Sequence, residues 1–141
     1  MKIKRLSLLK SNRGFSFVEL IAVLIIIAIL ASIGVPVYLE QVKNARAAEA
    51  QTTIGAIKTS VKMYRQKYGR VPTDVEDLVK KGFLEIDKAT ASKWKFDFTK
   101  SRDDVQSISA TSTEHMPGGA GHSISYDAET GKWSGYGQTD E

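Results

Sequence analysis

Apolar and polar positions divide the chain into three stretches with different periods. Residues 20–39 contain no charged side chain. A helix of about twenty residues rises roughly 30 Å, the thickness of a bilayer's hydrocarbon core. Beyond it, Ile54, Ile57, Val61, Tyr64 and Tyr68 recur at a helical spacing, with Lys58, Lys62, Arg65 and Lys67 mostly off that stripe. The pattern predicts one helix from about Ser16 to Tyr68, apolar first and amphipathic second, closed by Gly69 as C-cap. Both tyrosines of the stripe are expected in a core.

A short second helix is expected over residues 73–82. Thr73 followed by Glu76 fits a capping box, Asp74 and Asp77 suit its positive end, Lys80 and Lys81 suit the other, and Gly82 stops it. The period then becomes two. Trp94, Phe96 and Phe98 alternate with Lys93, Lys95, Asp97 and Thr99. Residues 105–112 form a second, more polar strand. Ile124, Tyr126 and Ala128 mark a third, and residues 132–137, with Trp133 and Tyr136, a fourth. Tight links between them predict an antiparallel meander within residues 93–137 whose apolar face covers the helix stripe. Residues 115–121 read as a flexible loop. The expected fold class is α+β: a long N-terminal helix on a small antiparallel sheet of about four strands.

The chain's net charge of +4 at pH 7 is unevenly placed. Lys2, Lys4, Arg5, Lys10 and Arg13 lie in residues 1–14, which hold no acid, and the remainder carries a net −1. The excess is an orientation signal that keeps the N-terminus cytoplasmic and places the rest outside. The near-neutral remainder gives little steering toward phosphates, so nucleic acid is not expected as a partner. With no Cys, disulfides, thiol nucleophiles and Cys-type zinc sites are excluded.

Glu19 stands among Phe17, Val18, Leu20 and Ile21 at the edge of the apolar run. A carboxylate in a membrane helix is costly, and such a residue is kept when something pairs with it. Arg13-Gly14-Phe15-Ser16-Phe17-Val18-Glu19-Leu20, followed by an uncharged apolar run, resembles the class III signal of type IV pilins and pseudopilins. Phe17 and Val18 depart mildly from the residues often found there. The loop Tyr68-Gly69 to Pro72-Thr73, the short helix and Gly82-Phe83-Leu84 also resemble the segment after the long helix in many members.

The resemblance implies a basic leader, residues 1–14, cut between Gly14 and Phe15 by a prepilin peptidase that also N-methylates Phe15. It further implies a transmembrane and filament-core segment over residues 15–39, an amphipathic segment over 40–69 and a head over 70–141. Glu19 would meet the Phe15 ammonium of a neighbouring copy, which selects an axial register because an uncompensated buried charge is costly. Gly34 and Pro36 would mark a kink. Implied partners are other copies in a helical filament, the peptidase and methyltransferase, an inner-membrane assembly platform and cytoplasmic-membrane lipid. The location would be the inner membrane as a single-pass protein with its head outside, then a filament.

No chemistry of an enzyme or cofactor site is legible. His115 and His122 lack a metal-ligand spacing, and no Walker loop, dinucleotide-binding fingerprint or Gly-x-Ser-x-Gly motif occurs. Asp127, Glu129, Asp140 and Glu141 offer oxygens hard enough for calcium. Asp127 and Glu129, however, fall in a hairpin turn, so no metal is expected. The reading is a structural, major-type pilin. A pseudopilin of a type II secretion system is the alternative, and a minor pilin or membrane-anchored module for adhesion or DNA uptake a further one. The absence of Cys removes the disulfide-closed loop of many pilins. The lack of a clear calcium loop argues against the major pseudopilin, and the small head suits a major pilin.

Overall fold

A computed structural model describes residues 14–138. Residues 1–13 of the expected leader (residues 1–14), and Asp140 and Glu141 of the calcium option, lie outside them. The chain forms two units, Met1–Tyr38 and Leu39–Glu141. One helix, α1 (Phe17–Tyr68), contributes to both.

In the first unit α1 begins after Gly14, Phe15 and Ser16, which are not helical. Every described residue of this unit is exposed. Pro36 lies inside α1 and helix is present on both sides of it, although its ring nitrogen donates no hydrogen bond. Ser32 Oγ donates to the Ile29 carbonyl at 2.7 Å, a local bond that hides a hydroxyl within an apolar stretch.

The second unit is built on the outer half of α1. Its buried face is Ala47, Ala50, Ile54, Ile57, Ser60, Val61 and Tyr64. The stripe therefore starts two turns earlier than the large apolar residues suggest, because alanines hold its first positions. It also ends earlier: Tyr68 is 43% exposed and is not core, although its ring lies 4.7 Å from that of Tyr64. Tyr68 is the helix's last residue, and the chain turns away at Gly69 (φ 69°).

The second helix, α2 (Val75–Lys80), is shorter than the expected 73–82, and its N-cap is Asp74, not Thr73. Asp74 is extended and its carboxylate accepts from Asp77 N at 2.7 Å. An ionised acceptor bonds the orphan amide more strongly than a hydroxyl does, so the cap falls on Asp74. The helix is closed by Gly82 (φ 74°), with Phe83 N bonded to the Leu78 carbonyl at 2.9 Å. A third helix, α3 (Lys88–Lys93), was not anticipated. It buries no residue and so has no apolar stripe to read; its start is fixed by Asp87, which accepts from Ala89 N and Thr90 N.

The sheet is the expected antiparallel meander, in the order β1 (Trp94–Ser101), β2 (Asp104–Ser112), β3 (Ser123–Asp127), β4 (Trp133–Gly135). Trp94, Phe96 and Phe98 face inward from β1 and Ile124 from β3, by strict alternation. On β2, Val105 and Ile108 are both buried, three residues apart. A bulge reconciles this with a two-residue period: Thr99 pairs with Ser107 and Lys100 with Val105, leaving Gln106 as the extra residue. These side chains and the α1 face form one core, and each large apolar side chain buried there contributes about 1.5–3 kcal/mol.

Residues 115–121 form a pinned loop. Met116 is buried, the Ser112 hydroxyl donates to the Gly119 carbonyl at 2.8 Å, and Gly121 N donates to the Ser112 carbonyl.

Candidate functional site

Two surfaces carry the sequence-selected residues. The first is the start of α1. Phe15 is 87% exposed and, with Gly14, precedes the helix. Ser16 N donates to Glu19 Oε2 at 2.8 Å, and Glu19 N donates to Ser16 Oγ at 3.2 Å. This is a capping box: each side chain satisfies a backbone amide that the helix leaves without a partner. Glu19 thus has a partner in its own chain, one residue beyond Phe15. Sequence reasoning missed Ser16, although the Ser-x-x-Glu spacing was there to be read.

After the box comes a bare apolar surface. The large apolar side chains from Leu20 to Leu39 are between 40% and 67% exposed, with no charged residue among them. The helix is long and apolar enough to cross a membrane, with a mean hydropathy of 3.0 over its most apolar stretch. In water, this many uncovered side chains would carry a large unfavourable hydration free energy, so the unit is built for an apolar surrounding. Gly34 and Pro36 lie within this stretch.

The second surface is the folded head. Tyr64, fully buried, donates from its hydroxyl to Asp77 Oδ2 at 2.9 Å and accepts from Lys81 Nζ at 2.8 Å; Lys81 also pairs with Asp77 at 3.2 Å. Desolvation raises the Asp77 pKa. The hydrogen bonds from Tyr64, Lys81 and the Thr73 amide outweigh it and hold the carboxyl below its ordinary value. Hydrogen bonds to Tyr64 and Asp77 raise Lys81. This triad latches α2 to α1. Nothing local in the sequence announces it, since its members lie 13 and 17 residues apart. A second latch joins α3 to α1, where Glu49 accepts from Lys93 Nζ and Thr90 Oγ1, both at 3.1 Å.

Asp127 caps the β3–β4 turn: its Oδ1 accepts from Glu129 N at 2.8 Å and Thr130 N at 2.9 Å, and these bonds lower its pKa. Glu129 is exposed in the same turn. Among the described residues no three acidic or histidine side chains gather as a metal cage. His115 is exposed, whereas His122 is half-buried, its ring 4.6 Å from that of Tyr136 and its Nε2 3.1 Å from the Gly118 carbonyl.

A long helix with a bare apolar first half, whose second half carries an antiparallel meander, defines a pilin-like α+β subunit. Comparison with known families agrees. Residues 9–35 match the prokaryotic N-terminal methylation motif, and residues 37–110, just over half of the chain, match type II secretion system (T2SS) protein G. The chain belongs to this family, which sits among the type IV pilins and pseudopilins. It is 36% identical over 74 residues to a fimbrial protein of Moraxella nonliquefaciens, covering 52% of this chain and 47% of that one. It is also 31% identical over 72 residues to competence protein ComGC of Halalkalibacterium halodurans, covering 51% of this chain and 71% of that one. The chain thus spans about half the length of the first of these relatives. The family is one of structural subunits, and its N-terminal apolar helix suits membrane anchoring.

Proposed function

We propose that the chain is a major-type pilin: a subunit held in the inner membrane by the first half of α1, cut between Gly14 and Phe15, N-methylated on Phe15 and polymerised into a type IV pilus. The observation that carries this reading is the bare apolar half of α1 attached to a folded head. A lipid bilayer covers that surface before assembly and the helices of other copies cover it afterwards. The non-helical Gly14 and Phe15 support a scissile bond accessible to the peptidase. Glu19, held in the capping box one residue past the new ammonium, supports a charge pair formed across subunits in the filament core. The prepilin peptidase and the inner-membrane platform are the partners this route requires. The pseudopilin of a type II secretion system is a second reading, favoured by the protein G match over residues 37–110.

Deletion of the gene tests the choice. Loss of surface fibres supports the pilus, and loss of exoprotein secretion with fibres intact moves the chain to the pseudopilus. Mass spectrometry of the mature N-terminus tests the processing. A methylated Phe15 is expected, and an intact Met1 overturns the reading.

A further inference from the structure

The head unit balances fifteen Lys and Arg against fifteen Asp and Glu, so its net charge hides a local excess. Residues 50–73 hold Lys58, Lys62, Arg65, Lys67 and Arg70 and no acid. Lys58 is bonded to the Tyr126 hydroxyl at 2.6 Å and Arg65 to Asp104 at 3.0 Å. Among the described ion pairs none involves Lys67 or Arg70. The macrodipole of α1 accounts for Arg65 and Lys67 in its last turn. It does not account for Arg70, beyond Gly69, and Lys81, on another element, is the cation already paired with Asp77 at 3.2 Å. Their heads nevertheless converge with that of Lys67 on one cluster of rings, Tyr64, Tyr68 and Phe83. Lys67 Nζ lies 5.5 Å from the Phe83 centroid, Lys81 Nζ 5.0 Å from that of Tyr68 and Arg70 Cζ 6.0 Å from that of Tyr64.

We propose that this end of the head, Lys67, Arg70 and the exposed Tyr68, is a docking surface for an anionic polysaccharide. Charge complementarity selects an anion. Arg70 offers a planar fork to a carboxylate and Lys67 a point charge. The packing of Tyr68 selects the kind of anion. Tyr64 at 4.7 Å, Phe83 at 6.0 Å, Lys81 at 5.0 Å and Lys67 at 5.6 Å crowd its ring. Tyr68 is nevertheless 43% exposed, and its hydroxyl, which makes no hydrogen bond among the described residues, suits the hydroxyls of a sugar. A nucleobase needs a free aromatic face on which to stack.

The test uses the full chain in detergent micelles, so its outcome is independent of filament assembly. Fluorescein-labelled polygalacturonate is titrated with protein at rising salt, and neutral dextran and oligothymidylate serve as comparisons. Polygalacturonate should bind at low salt and be released as salt rises. The double reversal Lys67→Glu with Arg70→Glu should weaken binding about tenfold or more, equivalent to one lost charged contact. Lys67→Gln with Arg70→Gln should fall between, while Lys88→Glu and Lys132→Glu change little. Three results overturn the proposal: no effect of the double reversal, an equal loss on the control reversals, or tighter binding of oligothymidylate that disappears in Tyr68→Leu.

Discussion

Ser16 and Glu19 are reciprocal caps: the amide of each is bonded to the side chain of the other, at 2.8 Å and 3.2 Å. The carboxylate therefore has two separable properties, an acceptor for its own helix and a negative charge at the edge of an apolar surface. Glu19→Gln divides them, because glutamine also serves at this capping position but carries no charge. Glu19→Gln should insert in the membrane and start its helix at the same place, yet assemble poorly. Glu19→Leu should lose both properties, and Ser16→Ala should cost about 0.5–2 kcal/mol of local helix stability while still assembling. Sheared-filament yield against membrane-fraction protein reads all three. Normal filaments from Glu19→Gln would leave capping as the residue's whole role.

The triad of Tyr64, Asp77 and Lys81 sets an acid dependence. The folded-state pKa of Asp77 is depressed, so its stabilising contribution is fully present above the unfolded value near 3.8 and is lost as pH falls through the lower folded value. Tyr64→Phe keeps the ring and removes one bond to the carboxylate. The variant should be less stable than the parent at neutral pH. The difference should shrink as pH drops below the ordinary carboxylate range. Urea midpoints measured across that range check it; a difference independent of pH would mean that the hydroxyl acts without Asp77.

Gly137 lies against α1. At φ 73° it occupies a conformation that side chains rarely adopt, and a Cβ built on it would overlap the Cβ of Ala47. Gly119, at φ 95°, has open space where its Cβ would be. Gly119→Ala should therefore cost about 1 kcal/mol from backbone strain alone. Gly137→Ala should cost about 1–3 kcal/mol more, from the overlap. Ala47→Gly in the Gly137→Ala background should recover part of that excess in thermal unfolding. Equal melting temperatures for the two single variants would mean that the C-terminal segment gives way.

What the sequence disclosed was whatever repeats. The uncharged run, the period of the α1 stripe and the Trp94, Phe96, Phe98 alternation each bury or expose several residues at once, and the structure follows them. What it concealed was decided by a single residue or by partners distant in the chain. Helix α3 depends on one cap at Asp87, and the start of α2 on which of two neighbouring oxygens, at Thr73 or Asp74, wins an amide. The buried alanines at 47 and 50 look like mere helix formers until Gly137 is brought against the first of them. At the N-terminus, Gly14, Phe15 and Glu19 are legible as a motif, whereas the role of Ser16 rests on one pair of local bonds with Glu19.

Gln106 makes the same point in the sheet and can be tested there. Val105 and Ile108 both point into the core only because Gln106 is unpaired between the Thr99–Ser107 and Lys100–Val105 pairs. Deleting Gln106 leaves Val105 and Ile108 two residues apart, so both still face the core in a regular strand without the bulge. The bulge carbonyl is lost as the acceptor for Ala128 N, at 2.8 Å. The deletion should cost about 0.5–1.5 kcal/mol, from the broken backbone bond. Gln106→Ala, which keeps the bulge and the carbonyl, should stay within about 0.5 kcal/mol of the parent, as exposed substitutions do. Chemical denaturation of the two variants separates bulge from side chain. If the deletion were as mild as the substitution, the bond from Ala128 to the bulge carbonyl would carry no weight in holding the β3–β4 turn.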